Sequence, residues 1–270
     1  MSDNISILSI VFMAISAGLS ILVPITVVVI VGMKKRLNWK ATILGAVLFV
    51  VFVMILESMM HSAVLGTDPT QSAIYNSVWL YMLYGGFAAG IFEETARLLC
   101  FKFLIRVKEN ESIDTGISYG LGHGGIEAIL IGGLGAVSNL IMSIMYNSGS
   151  LNSVATALNS EQLSAFNQGI DTLRNTSPEL FLIGGFERMA ALLLQVALSL
   201  FVLKAVSDKK WLYFIYAILI HAGIDMIALL YQREVIANIF VMEGIVLICA
   251  AVTAFFAFRL FNGKKVQEAA

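Results

Sequence analysis

Three short stretches of this sequence put acids and imidazoles where a membrane protein would normally carry apolar residues: Glu93-Glu94-Thr-Ala-Arg97, His123-Gly-Gly-Ile-Glu127 and His221-Ala-Gly-Ile-Asp225. His123 and Glu127 are four residues apart, as are His221 and Asp225, so each pair projects from one face of a helix. The spacing of Glu93, Glu94 and Arg97 lets one glutamate pair with the arginine while the other stays available. Two imidazoles and one or two carboxylates brought together from separate helices make a ligand set for zinc that leaves a position open for water. A further glutamate then serves as general base toward that water. The same groups could activate water without a metal, though less readily at neutral pH.

The elements that must position these residues are membrane helices. The chain has 270 residues, 59% of them hydrophobic and 13% charged, with a mean hydropathy of +0.87. A soluble domain carries roughly 25% charged residues, so most of these side chains never meet water. A net charge of -1 offers nothing to nucleic acid. Cys100 and Cys249 lie in apolar segments without CxxC spacing, which points to neither a disulfide framework nor a thiolate metal site. The acidic start Met-Ser-Asp-Asn and the long apolar run after it read as a retained first span, not a cleaved leader.

About 30 Å of hydrocarbon demands roughly 20 apolar residues per helical crossing. About seven stretches qualify: Ile5 to Gly32, Ala41 to Met60, Val78 to Ile105, Thr115 to Tyr146, Leu180 to Leu203, Trp211 to Tyr231, and Val235 to Phe258. The expected fold is therefore an all-α, polytopic transmembrane helix bundle forming a single domain over residues 1–270. Of the 17 basic residues, 13 collect after the first, third and fifth spans and in the tail. The positive-inside rule makes that side cytoplasmic, with the N-terminus outside and the C-terminus inside. The opposite loop at about 147–179 has Leu151, Val154 and Leu158, then Leu163, Phe166, Ile170 and Leu173, at helical spacing. That pattern suits an interfacial helix which either caps the bundle or controls lateral access.

An ionisable group inside the bilayer costs several kcal/mol, which makes each one a functional candidate. Depth sorts them. Glu94 lies 8 residues before Lys102, His123 lies 9 after Asp114, and His221 lies 11 after Lys210. At about 1.5 Å per residue, all three sit roughly 12 to 17 Å into the membrane. Glycines at 116, 120 and 124 allow the fourth span to pack closely, drawing His123 toward its neighbours. Glu57, Glu187, Arg188 and Glu243 fall in the outer half by the same count and read as a structural ion-pair network. His61 reads as interfacial.

On these three motifs the chain resembles the YhfC family of intramembrane metalloproteases, which is related to PrsW and to the CAAX prenyl proteases. The resemblance implies that Glu93 or Glu94 is the general base, with Arg97 beside them. It also implies that His123 and His221 are ligands or oxyanion stabilisers, and that His123, Glu127, His221 and Asp225 are the metal-site candidates, for zinc. Asp225 stands where the CAAX relatives carry asparagine or aspartate. Arg97 stands three residues after the second glutamate, one fewer than in the prenyl proteases, which leaves open which glutamate it pairs with. The soluble H-E-x-x-H signature is absent. The function implied is a peptidase of the bacterial plasma membrane acting on a membrane-embedded or membrane-associated protein or peptide substrate.

Two competing readings stand beside it. A proton-coupled transporter also uses acid and histidine chains, but the inverted repeats expected of one are not visible. A non-catalytic scaffold or immunity protein is the other, since some members of the superfamily have those roles. A seven-span photoreceptor is excluded because Val235 to Phe258 contains no lysine for a Schiff base.

Overall fold

The computed structural model describes residues 4–109, 111–151 and 156–267, with side chains to 261, and is helical without a strand among them. Helix α1 (Ile7–Met33) is followed by α2 (Trp39–Phe49), which runs through a wide π-helical stretch (Val50–Glu57) into α3 (Ser58–Leu65). A 3₁₀ turn and the single-turn α4 (Ala73–Asn76) lead to α5 (Val78–Leu99), extended by a second π stretch (Cys100–Ile105). Helix α6 (Ile113–Glu127) continues through a third (Ala128–Gly133) into α7 (Leu134–Asn147). Then come α8 (Ser160–Asn175), α9 (Pro178–Ser207), α10 (Leu212–Gln232) and α11 (Ile239–Gln267).

Among the described residues, six helical segments are long and apolar enough to cross a membrane: Ile7–Met33, Trp39–Leu65, Ile113–Asn147, Pro178–Ser207, Leu212–Gln232 and Ile239–Phe261. The seventh expected crossing is α5. Its 22 residues give about 33 Å of helix, enough to span. The charges of Glu93, Glu94 and Arg97 make it less apolar than those six. The architecture is thus the all-α polytopic one that the apolar runs predict, and the chain is an integral membrane protein.

The chain partitions into two compact units, Met1–Ile25 with Ala128–Met189, and Thr26–Glu127 with Ala190–Ala270. In the first, Ile5, Met13 and Leu173 are buried against Leu140, Tyr146 and Phe181. The Asn147 side chain accepts from the Ile5 amide at 2.9 Å and donates to its carbonyl at 2.8 Å. The amphipathic pattern of the loop forms α8, started by a capping box in which Asn159 and Gln162 bond each other's backbone N–H. Its stripe turns inward, Leu163 and Phe166 half-buried, Ile170 and Leu173 buried. Of the earlier part of that pattern, Leu151 is buried, while Val154 lies outside the described residues.

The second unit holds the larger core, in which Phe101, Tyr119, Leu198, Leu200 and Leu203 are wholly or nearly buried. Close backbone approach here depends on glycine. A Cβ on Gly120 would stand 2.5 Å from Val196 Cα, and one on Gly122 would stand 1.9 Å from the Thr42 carbonyl oxygen. Helix α6 is therefore held backbone to backbone between α2 and α9, a spacing that no larger side chain permits. Similarly, α5 packs on α10, where a Cβ on Gly90 would meet the Ile218 carbonyl at 2.9 Å. At one exposed rim, Arg36 grips Asp114 through Nε at 3.0 and 3.2 Å, and this carboxylate raises the guanidinium pKa above its usual value.

Candidate active site in the membrane helices

The close approach of α5, α6, α9 and α10 gathers one buried polar cluster within the second unit. Helix α5 supplies Glu93, Glu94 and Arg97, α6 supplies His123 and Glu127, and α10 supplies His221; all are buried. Glu93 Oε2 lies at the centre. It is 2.8 Å from His123 Nε2, 3.5 Å from an Arg97 amine and 3.8 Å from His221 Nε2. Arg97 pairs with both glutamates, its other amine reaching Glu94 Oε1 at 2.7 Å. The spacing that left its partner open is answered by a guanidinium fork between two carboxylates. His221 Nδ1 also meets Glu94 Oε1, at 2.7 Å. Asp225 Oδ2 is 3.6 Å from His221 Nε2, its side chain 35% exposed.

The His123 ring is fixed by packing. Phe49 meets it edge-on with centroids 5.1 Å apart, and Tyr119 stacks at 5.9 Å. Both are fully buried, so the ring has little freedom to leave Glu93.

Sequence reasoning missed the residue that joins these groups. Gln195 on α9 donates from Nε2 to Glu93 Oε2 at 3.0 Å and to Glu127 Oε2 at 2.6 Å, while its Oε1 accepts from Arg97. Ser199, one turn on, accepts from Arg97 Nε at 3.3 Å. The signal was available: Gln195 lies 9 residues before Lys204, the depth that singled out the other three helices. An uncharged amide does not stand out among ionisable groups, and depth singles it out only once polar residues of every kind are considered.

Glu57, expected in the outer half, is buried on the helix packed beside α5, with Oε1 3.3 Å from His61 Nε2. It also lies within electrostatic reach of Glu93, His221 and Asp225. Glu187 and Arg188 do pair with each other, in the first unit. His61 is 36% exposed and hydrogen-bonds Tyr84.

The cluster fits a divalent ion. Glu93, His123 and Glu127 each offer one ligand atom, all within 4.8 Å of one another, the group of this kind found among the described residues. Nitrogen and carboxylate oxygen are the donors zinc takes. Three carboxyl groups, Glu93, Glu94 and Glu127, share a single guanidinium, so the cluster is rich in the oxygen donors that a divalent cation takes. Glu94 Oε2 and His123 Nδ1 are buried without a hydrogen-bond partner, a costly arrangement in a purely structural network. His221 and Asp225, also expected as ligands, stand beside this three-residue group, His221 bonded to Glu94.

A model of the YhfC intramembrane metalloprotease family matches residues 19–246. A protein of Bacillus subtilis (strain 168) described as an uncharacterized membrane protein, YhfC, is 35% identical over 248 residues, covering 92% of this chain and 94% of that one. No solved structure matches. The match runs through all three motifs and every helix that builds the buried cluster, and the chain belongs to the YhfC intramembrane metalloprotease family.

Proposed function

We propose that this protein is a peptidase that hydrolyses a peptide bond of a membrane-embedded or membrane-associated protein substrate, using a zinc ion held by Glu93, His123 and Glu127. The observation that carries this reading is the convergence of those three ligand atoms within 4.8 Å of one another at a buried site. Bound there, a divalent ion would supply Lewis acidity to a water and to the scissile carbonyl.

The other residues have roles that follow from their contacts. Glu94 presents Oε2 without a partner while Oε1 is clamped by Arg97 and His221, so it is the carboxylate placed to take a proton from water. Arg97, held by Glu93, Glu94, Gln195 and Ser199, fixes both glutamates and balances part of their charge. His221 orients Glu94 through Nδ1 and turns Nε2 toward Glu93, where it can donate to an oxyanion. Gln195 locks Glu93 to Glu127 as an outer partner of two ligands.

Metal analysis of the purified protein tests the reading. The expected result is stoichiometric zinc in the wild type, loss in His123→Ala, and a smaller reduction in His221→Ala, whose Nδ1 is engaged with Glu94. Equal metal content in all three proteins would overturn the metal assignment.

A further inference from the structure

Beside the buried cluster runs a chain of polar contacts that the hydrolysis described above does not use. Glu57 Oε1 is 3.3 Å from His61 Nε2, His61 Nδ1 is 2.7 Å from the Tyr84 hydroxyl, and that hydroxyl donates to Met60 Sδ at 3.0 Å. Glu57 is 6% exposed and its second oxygen, Oε2, is buried without a hydrogen-bond partner. His61 is over a third exposed. The chain therefore joins a buried carboxyl group to a more open rim.

Hydrogen-bond polarity limits what this chain can hold. A tyrosine hydroxyl has one proton and an imidazole has two nitrogens of interchangeable role. When Tyr84 donates to His61 Nδ1, Nε2–H donates to a Glu57 carboxylate. When Tyr84 turns its proton to the Met60 sulfur, which only accepts, His61 Nδ1–H donates to Tyr84. Its Nε2 is then free to accept from a protonated Glu57. The second arrangement contains one proton more than the first, and that proton has entered at the exposed side and emerged on Glu57. Met60 supplies the alternative acceptor that makes the reversal possible.

We propose that Glu57, His61 and Tyr84 form a proton wire that reloads Glu57 as the donor to the amine leaving the buried site. The inference rests on the peptidase reading. In that reaction the attacking water loses a proton to Glu94, the new C–O bond forms, and the C–N bond breaks with its electron pair passing to nitrogen. That nitrogen needs a proton, and Glu57 gives it through Oε2. Water supplies two protons in all, one to Glu94 and one released from the new carboxyl group. The wire replaces the proton spent by Glu57 with one drawn in at the exposed side, one of water's two leaves with the amine and the other is released to the medium, so the protein ends as it began. The ionisable groups facing Glu57 are His61 from its own helical segment, Glu93 from α5, and His221 and Asp225 from α10. Tyr84 is in turn within reach of Glu57 and Tyr81.

Infrared difference spectra of the full-length protein in lipid, recorded on acidification, read the shared proton directly. A carboxylic-acid C=O band is expected in the wild type, absent in Glu57→Gln, retained in Glu57→Asp, and shifted in its pH midpoint by His61→Phe and Tyr84→Phe. The variants should keep the wild type's zinc content. Cleavage of a quenched-fluorescent peptide with one apolar span, in proteoliposomes, then tests the donor role. Glu57→Gln should lower kcat about 100-fold with KM little changed and flatten the alkaline limb of the kcat profile, and Glu57→Asp should recover much of the rate. A band unchanged in Glu57→Gln, or a Glu57→Gln protein with the wild type's rate and pH profile, would overturn the wire. Absence of cleavage by the wild type would remove the peptidase reading and the donor role with it, while the infrared band separately decides whether Glu57 takes up a proton.

Discussion

Two charged regions, both set in apolar helices, are assembled in opposite ways. Glu93, Glu94, Arg97, His123, Glu127, Gln195 and His221 come from four helices and are all buried. Glu187 and Arg188 are chain neighbours, and their ion pair leaves the two side chains 37% and 13% exposed. Neighbours in sequence meet whether or not the surrounding helices are packed. A cluster drawn from four helices exists only when the packing is right, and every buried charge in it must be answered by a partner from another segment. That dependence links charge to fold in the first region, whereas the Glu187–Arg188 contact is made within one turn of one helix.

The comparison breaks most sharply at arginine. Arg97→Met leaves Glu93 and Glu94 buried without their cation, a loss of about 3–5 kcal/mol in unfolding free energy. Glu187→Gln should cost less than about 1 kcal/mol, as for other partly exposed pairs. Denaturation in mixed lipid and detergent micelles, followed by helical circular dichroism, measures both. Comparable losses would mean that the cluster is no more integral to the fold than the local pair.

Gln195 sharpens the same contrast without touching a charge. It donates to two of the three metal-ligand candidates, Glu93 and Glu127. Gln195→Leu keeps most of the volume and removes both bonds, together with the one its Oε1 accepts from Arg97. Outer partners of metal ligands typically matter about 10-fold to 100-fold in metal affinity, so zinc competition with a chelator should show a loss of that order. An affinity equal to the wild type's would remove Gln195 from the site.

These contrasts also show what the sequence could and could not reveal. The crossings were legible because apolar length is a one-dimensional property, and even α5 was found, although Glu93, Glu94 and Arg97 depress its hydropathy. The level of Glu94, His123 and His221 was legible because an α-helix converts residue number into depth at a fixed rise. Azimuth was not: which face of α9 would meet Glu93 depends on the glycine contacts of α6, which bring Val196 and Gln195 against it. Nor does depth alone place Glu57: the count sets it in the outer half with Glu187, while the packing of its helix on α5 puts it within electrostatic reach of Glu93. The i,i+4 rule likewise put Asp225 with His221, where it is, but could not say that Glu93 would be the acid sharing a ligand position with His123 and Glu127.

The smallest effect belongs to a charge pair that resembles the cluster in chemistry and lacks its burial. Arg36 and Asp114 join the segment after α1 to the first turn of α6 by a forked contact, with side chains 57% and 28% exposed. Because the carboxylate raises the guanidinium's pKa, the arginine stays charged through its ordinary range and, on the alkaline side, the contact is lost only above the raised value, beyond any working pH. Alkali therefore cannot imitate the substitution, whereas salt can, since exposed charges are screened over about 8–10 Å at ordinary ionic strength. Arg36→Ala should lower the thermal midpoint slightly at low salt and not at all at high salt, where the wild type should fall to meet it. Arg97→Met should show the same large loss at both. A salt-independent loss at Arg36 matching that at Arg97 would mean that burial is not what separates the two arginines.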